Sequence, residues 1–207
     1  MCELALVVGV GLLSPTVSAL HARWVGAEVP PRTDMSSLYH ILDAACAIAV
    51  LAYVLYRRGT SLRTIGLTFR RSDIPLALLL LVLQNLMWIS VGRVILRVAT
   101  LPKVSAYRAG GGLMQWLAVV PGAAQEELIV RAFLMTEVAA LTDNMAIAVL
   151  ASVGFQALYH VYLGVPKALM MAGAFFVSAV FYAQTRRITP VILAHSLHNF
   201  LIMARWL

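Results

Sequence analysis

The stretch IPLALLLLVLQNLMWISVG, residues 74–92, contains no charged residue and consists mainly of leucine and other apolar side chains. A helix that crosses the hydrocarbon core of a bilayer, about 30 Å thick, needs roughly 20 residues of this kind. Ser72 and Asp73 precede the stretch and Pro75 lies in its first turn, which is typical of a helix start with a side-chain cap. We therefore predict a transmembrane helix that begins here.

Comparable apolar stretches occupy most of the remaining chain and are separated by short linkers. Their lengths predict about seven spans, at residues 4–20, 38–56, 74–92, 113–141, 145–163, 166–183 and 189–207. The fourth span is long, and Pro121 followed by Gly122 predicts a break within it. The first lacks the basic segment of a secretory signal and carries Glu3 instead, so we expect an uncleaved span.

The composition supports an all-α, polytopic transmembrane helical bundle. The chain is 61% hydrophobic and 12% charged, with a mean hydropathy of +0.86, whereas a soluble domain carries about twice that charged fraction. We expect one integral membrane domain, residues 1–207, with N-terminal spans and linkers in 1–112 and core spans in 113–207. The expected location of this multi-pass protein is the plasma membrane of a prokaryote.

The net charge of +7 does not point to nucleic acid, because arginines beside membrane helices are the ordinary pattern of a protein that faces anionic headgroups. Cys2 and Cys46 lack the paired spacing of a disulfide framework or a zinc finger. The expected partners are therefore the lipid bilayer and a membrane-associated protein or peptide, without nucleic acid.

Charges in the linkers favour an orientation with a cytoplasmic N terminus. With seven spans, one side of the membrane receives several arginines, namely Arg57, Arg58, Arg63, Arg70, Arg71, Arg186 and Arg187. The opposite side receives Arg93, Arg97, Lys103 and Arg108 in one linker alone, so the totals of the two sides nearly cancel. Because cytoplasmic loops are enriched in lysine and arginine, the first group indicates the cytoplasmic side.

The C-terminal half also contains polar residues inside its predicted spans, namely Glu126, Glu127, Arg131, His160, His195, His198 and Asn199. Ionisable groups at bilayer depth cost several kcal/mol unless they are paired or hydrated, and they therefore indicate a functional site. Lone histidines such as His21 and His40, near the ends of spans, are interpreted as ordinary interfacial residues. His198 is likewise interpreted without a functional role, as a packing residue that hydrogen-bonds to a neighbouring backbone.

Helical spacing separates the charges of the fourth span. Glu127 and Arg131 are four residues apart, so they can form an ion pair on one face of a helix. Such a pair is interpreted as structural, because each charge offsets the desolvation of the other. Glu126 points elsewhere and lacks a local partner, so we expect it to be protonated, hydrated or opposite a polar group of another helix.

These side chains fit the activation of water for hydrolysis within the membrane. Glu126, with or near His160, can take a proton from water as a general base. His195 and Asn199 are one helical turn apart and can donate hydrogen bonds to the oxyanion of an attacked peptide carbonyl. Glu126, His160 and His195 are also a plausible zinc-binding set with water as fourth ligand. Residue types alone do not decide between the two routes.

The motifs resemble the CAAX proteases and bacteriocin-processing enzymes, also called the CPBP or Abi family. The family pattern is EExxxR, then FxxxH, then HxxxN or HxxxB. Here Glu126-Glu127-Leu-Ile-Val-Arg131 and His195-Ser-Leu-His-Asn199 match the first and third motifs. The second contains His160 but has Gln156 at the phenylalanine position. The resemblance is strongest from residue 123 onwards and places a CAAX-protease-like core in the last four spans.

The resemblance implies an intramembrane endopeptidase with Glu126, His160, His195 and Asn199 as the catalytic set. It assigns Glu127 and Arg131 a supporting role. No cofactor is expected, although a divalent metal such as zinc remains an option, and the metal-free route is preferred because asparagine is a poor zinc ligand. No feature of the sequence predicts prenyl specificity.

Two other functions fit the same residues. A catalytically idle member of the family would act as a membrane scaffold or peptide-immunity factor, and Glu126→Ala would then leave its phenotype intact. A small transporter could use buried glutamate and histidine as a proton path, but no repeated half with interrupted helices is evident. The protease hypothesis also requires similar depths in the membrane, whereas the rise per residue places His195 about 11 Å closer to Arg186 than Glu126 or His160.

Overall fold

The computed structural model describes residues 2–26, 33–97 and 112–204, and the regular elements within these ranges are all helical. Seven long helices follow one another along the described chain: α1 (Cys2–Val25), α2 (Asp34–Arg57), α3 (Asp73–Ile95), α4 (113–142), α5 (Met145–Leu158), α6 (Val165–Thr185) and α7 (Thr189–Ala204). A short 3₁₀ turn, Val161–Leu163, precedes α6. The predicted all-α fold class is confirmed.

Four of these helices, α1, α2, α3 and α6, are long and apolar enough to cross a membrane. The helices α5 and α7 are apolar but shorter, and α4 carries the buried charges. Leu79, Val82 and Leu86 of α3 are each more than half exposed, as expected for side chains that face acyl chains. Each predicted span therefore contains a helix, although residues 205–207 of the last one lie outside the described residues.

The fourth span differs from its prediction. Pro121 with Gly122 does not break α4, which continues through both residues from Leu113–Glu126 into a π-helical segment, Glu127–Leu134, and ends as Met135–Thr142. Proline is tolerated in membrane helices because neighbouring groups can satisfy the backbone that it frees. The irregular geometry instead lies one turn later, where π-helical turns often accompany functional sites.

The start of α3 is confirmed, but its predicted cap is not. Ser72 makes no capping hydrogen bond. The carboxylate of Asp73 instead accepts a hydrogen bond from the backbone N–H of Arg70, in the linker before the helix, at 2.6 Å. Ser72 Oγ accepts a hydrogen bond from Arg187 at 2.9 Å, and Arg187 also pairs with Asp73. The linker before α3 and the linker before α7 thus lie on the same side, as predicted. The orientation itself stays a prediction, and Lys103 and Arg108 lie outside the described residues.

The linker between α6 and α7 enters the protein. Ile188 is fully buried, and its backbone N–H donates to the carbonyl of Gly66 at 3.2 Å. The hydroxyl of Thr189 donates to the carbonyl of Thr68 at 2.9 Å. Helix α7 therefore starts within the bundle, and His195 lines the same cavity as Glu126 and His160.

Replacement of Gly66 by alanine should destabilise this junction. Gly66 has φ +94°, and a Cβ atom there would collide with the carbonyl oxygen of Arg186. We expect a loss of about 2–4 kcal/mol in unfolding free energy, since a left-handed conformation alone costs an alanine roughly 1–2 kcal/mol. Denaturant unfolding in detergent micelles measures it.

The matched control is Gly59→Ala. Gly59 has a similar φ of +68°, but no atom lies within 4 Å of its Cβ position. It should lose only the conformational part, roughly 1–2 kcal/mol. Equal losses in the two variants would contradict a constraint from the contact with Arg186.

Candidate active site

The predicted catalytic side chains line one cavity of about 660 Å³ inside the bundle. Its polar wall includes residues of α4, of α7 and of the turn after α5, namely Glu126, Glu127, Tyr159, His160, His195, His198 and Asn199. The apolar remainder includes Trp88, Met171 and Phe175. The structure therefore brings together the four residues of the predicted catalytic set, which are separated by up to 73 positions in the chain, from 126 to 199.

Glu126 faces polar groups of another helix, one of the three situations expected from the sequence. Its Oε2 accepts hydrogen bonds from the hydroxyl of Tyr159 at 2.8 Å and from Nε2 of Gln156 at 3.2 Å. Neither partner was predicted, although Gln156 was noted as the departure from the family motif. This fully buried glutamine contacts the candidate base directly, so the departure affects the chemical environment of Glu126 as well as cavity shape.

His160 lies at the end of α5, beside Glu126. Its Nδ1 lies 2.8 Å from the backbone carbonyl of Gln156. Because a carbonyl only accepts, Nδ1 carries the hydrogen of this bond, and in the neutral ring Nε2 is then the proton acceptor. The ring is enclosed by Tyr159, Tyr162 and Phe175, with centroids 4.6, 6.2 and 5.2 Å away. This arrangement fixes the ring, and His160 lines the cavity.

Two charged residues in series, Glu127 and Arg131, support His195. The Nδ1 atom of His195 lies 2.8 Å from Oε1 of Glu127, and Oε2 of Glu127 lies 3.3 Å from Nε of Arg131. Glu127 and Arg131 are 2% and 0% exposed, so their predicted ion pair is present and buried. The guanidinium of Arg131 also lies 5.3 Å from the ring centroid of Phe175. The pair thus holds His195 in place, a contact that helical spacing did not predict.

Helix α1 closes one side of the cavity. The side chain of Gln125 donates a hydrogen bond to the carbonyl of Gly11 at 2.7 Å, inside a π-helical segment of α1, Gly9–Leu13. A Cβ atom on Gly11 would collide with Cδ1 of Ile129. Glycine at position 11 therefore allows α1 to approach the motif helix closely, next to the two glutamates.

All five histidines of the chain line this cavity, including two that were interpreted as ordinary interfacial residues. These two are His21 of α1 and His40 of α2. No motif marks them, and only tertiary packing brings them there. In the described part of the chain, no three His, Cys, Asp or Glu side chains are arranged to hold a metal ion, and the expectation about a metal stays a prediction.

Residues 109–201 match the family model described as Type II CAAX prenyl endopeptidase Rce1-like. The C-terminal part of this chain is an Rce1-like domain. The resemblance to the CPBP family is thereby confirmed, and at the family level the match supports a CAAX-type intramembrane protease. Searches of the curated proteins and of the solved structures found no match.

The Rce1-like domain contains the four residues of the predicted catalytic set. It also contains the supporting pair and the two side chains that bond to Glu126. By contrast, α1, α2 and α3 lie before the matched residues, although each contributes to the cavity wall. The family match and the apolar helices together support an integral membrane protein, and at the family level they imply the lipid bilayer and a peptide substrate as partners.

Proposed function

We propose that this protein is an intramembrane endopeptidase that hydrolyses a peptide bond of a membrane-associated protein or peptide. The observation that carries the proposal is the cavity in which Glu126, His160, His195 and Asn199 meet. Such a cavity can hold water and a peptide carbonyl between a base and hydrogen-bond donors. We further propose the plasma membrane of a prokaryote as its location.

In the proposed first step, Glu126 takes a proton from a water molecule while His160 accepts a hydrogen bond from the same water. The water oxygen forms a bond with the peptide carbonyl carbon, and the π electrons move to the carbonyl oxygen. Oε2 of Glu126 already accepts hydrogen bonds from Tyr159 and Gln156, so Oε1 is the proposed proton acceptor. General-base assistance of this kind contributes about 10²–10⁴-fold.

In the second step, the oxyanion collapses, the carbon–nitrogen bond breaks and the amine leaves with the proton held by Glu126. Before collapse, Asn199 donates its amide hydrogen to the oxyanion. His195 donates from Nε2 in its imidazolium form, with Glu127 as the counter-ion at Nδ1. Water is thereby divided between a new carboxyl group and a new amine, and no step needs a metal. A zinc-dependent variant would instead use Glu126, His160 and His195.

The test is the appearance of new termini that contain oxygen from water. Membranes from cells that express the protein are incubated in H₂¹⁸O and compared with membranes from the same cells without it. New carboxyl termini that carry ¹⁸O and depend on the protein would support hydrolysis and identify the substrate. Identical sets of termini, with the folded protein present, would contradict the proposal and favour an idle scaffold.

Asn199→Ala should reduce this proteolysis strongly while the protein stays folded. The substitution removes one proposed donor to the oxyanion, and the loss of such a donor costs about 10²–10³-fold in rate. Initial rates of terminus formation, normalised to folded protein, measure the effect. Ser196→Ala is a control on the same helix, since Ser196 is buried outside the cavity lining, and it should change the rate less than about threefold. A similar loss in both variants would contradict the assigned role.

A further inference from the structure

His40 of α2 packs with its ring edge against the backbone of α4 at Gly122. A Cβ atom on Gly122 would lie 2.6 Å from Nε2 of His40, and 3.4 and 3.7 Å from Cδ2 and Cε1. Real side-chain atoms do not approach so closely, so the ring occupies the space that a side chain at position 122 would fill. Glycine at this position is therefore required for His40 to occupy its place.

Gly122 lies one helical turn before Glu126, and both residues line the cavity together with His40. Four residues of helix correspond to about 6 Å along the axis. An extended peptide advances about 3.3 Å per residue. A substrate chain that places its scissile bond at Glu126 and runs along α4 therefore has its second residue from that bond beside His40.

The chemistry of the wall at this level suits an uncharged peptide group. Among the described residues that line the cavity there is no lysine or arginine. A neutral imidazole can donate a hydrogen bond to a peptide C=O or accept one from a peptide N–H, so a single ring nitrogen is enough to bind a peptide group. An extended substrate in a membrane must have its backbone polar groups satisfied by the protein, because lipid offers no partners.

We propose that His40 is a substrate-binding residue, which hydrogen-bonds to the substrate chain two residues from the scissile bond. This inference rests on the proposed endopeptidase function and extends its site to a helix outside the matched residues 109–201. Gly122 is its positioning residue, because any side chain there displaces the ring.

The experiment compares cleavage sites within the same membranes for the wild type, His40→Ala, His40→Gln and Gly122→Ala. Substrates in one membrane compete, so the ratios of their initial cleavage rates report relative kcat/KM values. We expect His40→Ala and Gly122→Ala to lower cleavage about tenfold at the sites most dependent on this contact. Both should therefore change the ratios of the cleavage rates among sites. His40→Gln should keep most of the rate, since an amide also donates and accepts.

Asp43→Asn is the matched control, an exposed position one turn further along α2. It should leave rates and ratios at the wild-type values. If His40→Ala lowers every site in proportion together with its Tm, His40 has only a structural role and the inference is wrong. Unchanged ratios in both His40→Ala and Gly122→Ala would also overturn it. Failure of the endopeptidase proposal is distinct, because the wild type itself would then produce no new termini.

Discussion

Glu126→Gln should abolish proteolysis, with a loss of about 10²–10⁴-fold in the rate of terminus formation. The substitution keeps the shape of the side chain and an oxygen that can accept from the hydroxyl of Tyr159. It removes the basic oxygen that the proposed mechanism uses to take a proton from water. The rate is measured from ¹⁸O-labelled carboxyl termini in membranes with matched amounts of folded protein.

Glu137→Gln is the control for Glu126→Gln, because Glu137 lies on the same helix outside the cavity. Its carboxylate accepts hydrogen bonds from Arg58 at 2.6 and 3.1 Å, at a partly exposed position. Loss of an exposed ion pair costs about 0–1 kcal/mol, so proteolysis should stay within about threefold of the wild type. Persistent activity in Glu126→Gln would remove Glu126 from the mechanism and return the assignment of the base to His160.

Arg131→Met should destabilise the fold by about 3–5 kcal/mol, the usual cost when one partner of a buried ion pair is removed. Arg131 is fully buried and Glu127 nearly so. Methionine fills much of the arginine volume but leaves the carboxylate of Glu127 without its permanent counter-charge. Denaturant unfolding in micelles measures the difference in free energy.

The double variant Glu127→Gln/Arg131→Met separates charge from packing. With neither charge present, much of the lost stability should return, because an uncharged pair of similar volume is often as stable as a buried ion pair. A double-mutant cycle then gives the coupling between the two residues. Additive losses would show that the ion pair, 3.3 Å apart, contributes little to the fold.

The helices could be predicted from the sequence because each one contains a long apolar run, which has few alternatives to a membrane helix. The Glu127–Arg131 pair followed from spacing alone, since both residues lie on one helix. The hydrogen bond between Glu127 and His195 joins residues 68 positions apart, and no local pattern encodes it. The position of His195 along the bundle also depends on the buried linker at Ile188, and a count of residues per helical turn cannot show that this linker is buried.

The surroundings of Glu126 were predictable only as a requirement. A buried carboxylate needs a polar neighbour. Which residues provide it, here Tyr159 and Gln156, depends on how α5 packs on α4. Likewise, Pro121 predicted a helix break because the rule for soluble helices counts its missing hydrogen bond. The irregularity instead occurs as π-helical turns at Glu127–Leu134, where no proline or glycine marks it. The catalytic roles themselves stay predictions.

Because α1 approaches α4 so closely, the segment that contains the motifs is not a self-contained unit of structure. Gln125 bonds to a backbone carbonyl of α1, and Gly11 lets the two helices touch beside the motif. If residues 109–201 were excised, acyl chains would fill the missing side of the cavity, and the amide of Gln125 would face hydrocarbon without its acceptor. Residues 109–201, the segment that matches the family model, therefore need α1 in addition to keep lipid out of the cavity. Transplanting it into another membrane protein would require a helix with the same small-residue contact.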